Sequence, residues 1–177
     1  MEEFYQQFLI DFNQAETELA NEIKGVPEDV ASLRISPGKW SIADCVVHIS
    51  MVEFSVLNII RKIPDRSSEL SKELTILGRT KLKDILLDRT NKVKLPDAFE
   101  SRMEKLPLKI AYEKLLTTRK LLKEIINSRK IISPELIIPH PVLGKMTKID
   151  WLYSTPFHSL RHTEQIREVK SKLVNKL

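Results

Sequence analysis

Apolar residues recur every three or four positions from the start of the chain: Phe4, Phe8, Phe12, Ala15, Leu19 and Ile23. That period puts them on one face of an α-helix from Met1 to about Lys24, with Gly25 and Pro27 closing it. A connector follows from Glu28 to Lys39, with one short turn at Asp29–Leu33 and a break at Ser36-Pro37-Gly38. Ser41 opens a second helix. Asp44 stands three residues on, the spacing of a capping box, and Trp40 occupies the place of an apolar staple residue. Ile42, Cys45, Val46, Ile49, Val52, Val56 and Ile59/Ile60 then form an apolar stripe that Pro64 ends.

From Asp65 to Pro107 no long periodic run occurs; Leu82, Ile85 and Leu86 predict a short helix over Thr80–Leu87, and Pro96 marks another break. A connection this long predicts a crossover, with the second and third long helices running parallel. The third helix covers Leu108 to about Ser128, with Ile110/Ala111, Leu115, Leu121/Leu122 and Ile125 facing inward. Pro134, Pro139 and Pro141 hold the next stretch extended, and Thr147 begins the fourth helix, again with Asp three residues on. Trp151, Leu152, Phe157, Leu160, Ile166, Val169 and Leu173 are its apolar positions, and Pro156 inside that pattern predicts a kink or a restart before His158. Four amphipathic helices and no strand pattern predict an all-α four-helix bundle, one domain over residues 1–177.

Composition narrows the picture only modestly. With 42% apolar and 30% charged residues, 177 residues suffice for a real core. The net charge of +5 is spread over helical faces among acidic residues, which reads as a solvated surface and gives no nucleic-acid footprint. The lone cysteine, Cys45, fits a reducing cytoplasm and a packing role. No basic and apolar leader opens the sequence, and no uninterrupted apolar run reaches the ~18 residues of a membrane span. The four glycines are too dispersed for a phosphate-binding loop, and Gly-x-Ser-x-Gly and Cys-x-x-Cys are absent.

The candidate chemistry lies in the histidines. His158 and His162, four residues apart on a helix, share one face and can close on a single metal ion. His48 points near the core from the second helix, and bundles build metal sites from facing helices. Three neutral imidazoles would leave coordination positions open, the pattern of a catalytic site suited to Zn(II), Ni(II), Fe(II) or Mn(II). His158-Ser-Leu-Arg-His162 lacks the glutamate of the His-Glu-x-x-His proteases. Gln165 shares the ligand face as an outer partner, whereas Asp44 reads as a cap and His140 as a loop residue outside the ligand set. Arg161 either orients an anionic group or faces solvent.

Three segments carry a family resemblance: Gly-Lys-Trp-Ser-Ile-Ala-Asp-Cys-Val-Val-His (38–48), His-Pro-Val-Leu-Gly-Lys-Met-Thr (140–147) and Trp-Leu-Tyr-Ser-Thr-Pro-Phe-His-Ser-Leu-Arg-His-Thr-Glu-Gln-Ile (151–166). In their order and spacing the chain resembles the DinB/YfiT-like superfamily of metalloenzymes. The resemblance implies a bundle of up-down-down-up topology and one divalent metal held by a triad that maps onto His48, His158 and His162. It also implies a homodimer, and activities that include thiol-dependent S-transferases and metal-dependent hydrolases of small molecules. Two functional expectations from different classes follow. The first is a cytoplasmic enzyme whose metal activates water or a low-molecular-weight thiol, its general base and catalytic residues unassigned. The second is a non-catalytic bundle that acts through partners, its metal site empty or structural.

Overall fold

The computed structural model describes residues 2–62, 74–90, 103–128 and 137–174. Six helices and one hairpin appear there, in the order α1 (Glu2–Ile23), α2 (Glu28–Ser32), α3 (Ile42–Lys62), α4 (Gly78–Leu87), α5 (Leu108–Asn127), β1 (Ile137–His140), β2 (Gly144–Thr147) and α6 (Lys148–Val174). The long helices α1, α3, α5 and α6 form the bundle, with α3 packed on both α5 and α6 and α1 packed on α6. The expected breaks at Pro64 and Pro96, and Pro134 of the stretch expected to be extended, lie outside the described residues.

Helix direction can be read from the core, which divides into two clusters. One joins Phe4, Phe8 and Phe12 of α1 to Val56 and Leu57 of α3, Leu122 and Ile126 of α5, and Leu152 and Phe157 of α6. The other joins Leu19 and Ile23 of α1 to Ile42, Val46 and Ile49 of α3, Leu108 and Leu115 of α5, and Ile166 and Val169 of α6. Thus α1 and α6 end where α3 and α5 begin. That is the up-down-down-up bundle, with the crossover between α3 and α5. Of the residue pairs expected to face inward on α5, Ala111 is buried and Ile110 is 41% exposed.

Both expected capping boxes form. Ser41 N–H donates to Asp44 Oδ2 at 2.9 Å and Asp44 N–H to Ser41 Oγ at 3.1 Å. Thr147 and Asp150 make the equivalent pair at 3.0 and 3.1 Å. Arg34 adds an ion pair to Asp44, which confirms that carboxylate as a cap.

Two features depart from the sequence reading. The first is the antiparallel hairpin β1–β2, where no strand was expected. Each strand has only four residues, too few for a two-residue alternation to register. Pro139 is tolerated because every strand of a two-stranded ribbon is an edge. A three-residue loop closes it, followed by Gly144 at φ +77°, where other residues would be strained. His140 therefore ends a strand, and its Nδ1 accepts from the Val142 and Leu143 N–H groups at 3.0 Å each.

The second concerns Pro156, where a kink or a restart was expected: no restart occurs, and α6 is one helix through it. A proline leaves the carbonyl four residues back without its usual donor. Here that carbonyl belongs to Leu152, and the Thr155 hydroxyl donates to it at 2.8 Å. The helix thereby keeps His158 and His162 in one continuous register.

By length and composition, Ile42–Arg61 of α3 could also cross a membrane; in this fold it is the central core helix, with 56% of that window buried.

A candidate metal centre on two facing helices

His158 and His162 come from the middle of α6, between its residues of the first and second clusters, and His48 comes from the first half of α3, among residues of the second cluster. Their Nε2 atoms converge. His48 Nε2 lies 3.0 Å from His158 Nε2, which in turn lies 3.2 Å from His162 Nε2. The candidate ligand atoms of all three fall within 4.8 Å of one another. His48 and His162 are buried and His158 is partly exposed.

Electrostatics favour the metal-ready form. Burial lowers the His48 pKa to about 4. Burial likewise pushes His158 and His162 well below the ordinary range, and charge on a neighbouring imidazole would push in the same direction. At neutral pH all three rings are therefore uncharged. His162 Nδ1 lies 3.0 Å from Gln165 Oε1, an acceptor, so Nδ1 carries the proton and Nε2 presents its lone pair to the cluster. The Nδ1 of His158 is buried without a hydrogen-bond partner among the described residues.

Three inward-facing nitrogens this close cannot all be satisfied by one another, because neutral imidazole has one donor and one acceptor. A divalent cation resolves the conflict. With metal–nitrogen bonds of about 2.0–2.1 Å and ligand angles of about 90–109°, the nitrogens would stand roughly 2.9–3.4 Å apart. The observed 3.0 and 3.2 Å fit that spacing. Within the described residues the cluster contains neither carboxylate nor thiol.

The surroundings sort the remaining candidates. Arg161 is half-buried and held by the chain itself; its Nη1 donates to the Leu86 and Asp88 carbonyls at 3.0 and 2.5 Å and closes the end of α4. Arg89 in turn donates to the Arg161 carbonyl at 3.0 Å. Two further features were missed in the sequence. Trp40, expected as a staple, lies over the cluster, 4.8 Å from the His48 ring and 5.6 Å from the His162 ring between centroids. Beside the histidines, Arg119 of α5 forks onto Glu53 of α3 at 3.0 and 2.7 Å and donates to Ser159 Oγ at 2.8 Å, with all three residues buried. The available signal was a charge inside each apolar stripe: Glu53 between Val52 and Val56, and Arg119 between Leu115 and Leu122.

The depressed histidines make metal-free stability depend on pH. His48 and His140 each have a pKa of about 4 in the fold, both through burial, against an ordinary value near 6.5. Between those values the unfolded chain binds more protons than the folded one. Their contribution is complete above about pH 6.5 and is lost as pH falls toward 4. Urea titrations of chelator-treated protein should give midpoints that fall steadily from pH 7 to pH 5. A midpoint constant across that interval would contradict the burial assigned to these rings.

Comparison with known proteins bears on the fold and the family. The uncharacterized protein YuaE of Bacillus subtilis (strain 168) is 26% identical over 163 residues, covering 92% of this chain and 96% of that protein. The crystal structure of TT2238, a four-helix bundle protein, superposes with a TM-score of 0.58 at 15% identity, over 93% of this chain and 98% of that one. It supports the fold alone. The DinB superfamily profile matches residues 11–166, a span that includes all three histidines and reaches all four long helices, and the chain accordingly belongs to the DinB superfamily.

Proposed function

We propose that this protein binds one divalent metal ion through His48, His158 and His162 and uses it in hydrolase or thiol-dependent S-transferase chemistry on a small molecule. The observation that carries the reading is the convergence of three Nε2 atoms at 3.0 and 3.2 Å from two facing helices. When bound, the ion lowers the pKa of a nucleophile, water or a low-molecular-weight thiol, and polarises the group attacked.

The chain's own residues set the terms of that chemistry. Three neutral ligands leave the charge of the ion undiminished, whereas a carboxylate or thiolate ligand would offset part of it. Burial keeps the imidazoles unprotonated at neutral pH, so little proton release accompanies binding. Gln165 fixes the tautomer of His162, and the unbroken turn at Pro156 keeps His158 aligned with it. The partial exposure of His158 leaves room for a small reactant to approach.

Protein purified without an affinity tag should carry up to one equivalent of a divalent metal. His48→Ala and His162→Ala should each weaken its binding by at least about 100-fold, beyond the 10–100-fold typical of an outer-shell change. Elemental analysis and competition with a chromogenic chelator provide the measurement. Wild-type protein that takes up no metal, or alanine variants that retain it unchanged, would leave a non-catalytic bundle as the better reading. Metal-loaded protein screened against thiol cosubstrates and simple esters then separates transferase from hydrolase.

A further inference from the structure

We infer that Trp40 is a positioning residue of the metal centre, its indole setting the ring planes of two ligands that come from different helices. The inference rests on the proposed metal reading and extends it to a residue outside the ligand set.

Geometry carries the assignment. Trp40 lies nearly parallel to the His162 ring, with 21° between planes and 5.6 Å between centroids. It also meets the His48 ring at 56° and 4.8 Å. One rigid surface thus touches a ligand of α3 and a ligand of α6. The ligands themselves are edge-on to each other, at 72° between His48 and His162 and 64° between His158 and His162. Such an arrangement needs each ring held against rotation about its own side-chain bonds. Gln165 does so for His162 through Nδ1. Trp40 supplies an apolar face to the same ring and to its partner across the helix interface.

Local structure explains why the indole arrives there. Gly38, at φ +73°, turns the chain just before it, and the Lys39 N–H closes that turn on the Ser36 carbonyl at 3.1 Å. Immediately after it, the Ser41–Asp44 capping box fixes the direction of entry into α3. Asp44 is tied back to Arg34 by a side-chain hydrogen bond of 3.0 Å. An ordinary staple residue would meet only the first turn of its own helix. Trp40 also packs against the cluster containing Cys45, and its ring extends one turn further, onto His48, and then to α6.

The test reads the indole and the metal separately. Trp40 and Trp151 are the two tryptophans, so Trp40→Phe leaves Trp151 emission alone. Titration of wild-type protein with Co(II), an open-shell ion, should quench tryptophan fluorescence with saturation at one equivalent, and most of that quenching should vanish in Trp40→Phe. Competition with a chelator should show Trp40→Ala binding Co(II) about 10–100-fold more weakly, as expected for an outer-shell partner, while Trp40→Phe stays close to wild type because it keeps a flat ring. Trp40→Leu, which retains apolar bulk without the ring, replaces the alanine variant if the latter does not fold, and should show the same loss. A purely structural staple would lower thermal stability without moving Co(II) affinity or giving saturable quenching. Co(II) affinity unchanged in Trp40→Ala or Trp40→Leu, or bound Co(II) that leaves Trp40 emission intact, would overturn the assignment. Failure of the wild type to bind any divalent metal would instead sink the proposed function, and this inference with it.

Discussion

Replacing Arg119 with leucine should destabilise the protein by about 3–5 kcal/mol, the range for removing one partner of a buried ion pair. The guanidinium and the Glu53 carboxylate are 1% and 0% exposed, so each depends on the other in place of water. Burial pushes the Glu53 carboxyl above its ordinary range, with the Arg119 charge working against that shift. Without Arg119 only the weaker influence of the Lys123 charge opposes the shift, and Glu53 takes up a proton or draws water into the core. Ser159 Oγ also loses its donor. The cost thus lies mainly in the partner left behind. The double variant Glu53→Leu/Arg119→Leu should accordingly recover a large part of the loss, because an apolar pair needs no desolvation of charge. Urea denaturation of the two single variants and the double variant measures the coupling. Additive losses in the double variant would show that the residues act independently, contrary to the fork at 3.0 and 2.7 Å.

The same pair illustrates what a one-dimensional pattern can reveal. The 3.6-residue period located every long helix because a bundle helix must bury one continuous face. The capping boxes at Ser41 and Thr147 were legible because both members lie within three residues. His158 and His162 could be paired for the same reason: helical geometry fixes neighbours at four residues. Long-range partners leave no such mark. Nothing in the sequence assigns Arg119 to Glu53 across 66 positions, or Trp40 to His162 on another helix. The start of α5 at Leu108 was legible and that of α4 was placed two residues late, but what caps them was opaque, since neither has a side-chain cap of its own. In α5, Glu28 provides the cap from 80 positions away, accepting from the Leu108 and Lys109 N–H groups at 2.8 Å each. That α6 would not restart at Pro156 was not legible, because the compensating Thr155 hydroxyl depends on a side-chain rotamer that periodicity does not encode.

Asp150→Ala should cost a comparable ~3–5 kcal/mol, by leaving several backbone donors unpaired at about 1–3 kcal/mol each before water reaches them. This fully buried carboxylate belongs to the capping box of α6, yet most of its bonds lead elsewhere. It accepts from the N–H groups of Ile76, Leu77 and Gly78 at 2.8, 3.2 and 2.9 Å, and from Thr147 N–H at 3.0 Å. One side chain therefore caps two helices, its own α6 and the start of α4, where the helix dipole favours negative charge. The far end of α4 is held by Arg161 and its first turn by Arg79, which forks onto Asp11 at 2.6 and 2.8 Å. Loss of Asp150 should thus free one of three anchors and act first on α4. Hydrogen exchange should show residues 74–90 losing protection while the cores of α3 and α5 retain theirs. Asp150→Asn should fall between wild type and alanine: its amide keeps one acceptor oxygen for the converging N–H groups and brings donors where the second stood. Uniform loss of protection across all four long helices would mean that this carboxylate stabilises the bundle as a whole. Protection unchanged over 74–90 would mean that the remaining contacts, those of Arg161, Arg79 and Arg89 among them, suffice to hold α4. On the geometry described, α4 opens first because, among the described residues, Asp150 is the side chain that accepts from its N-terminal donors.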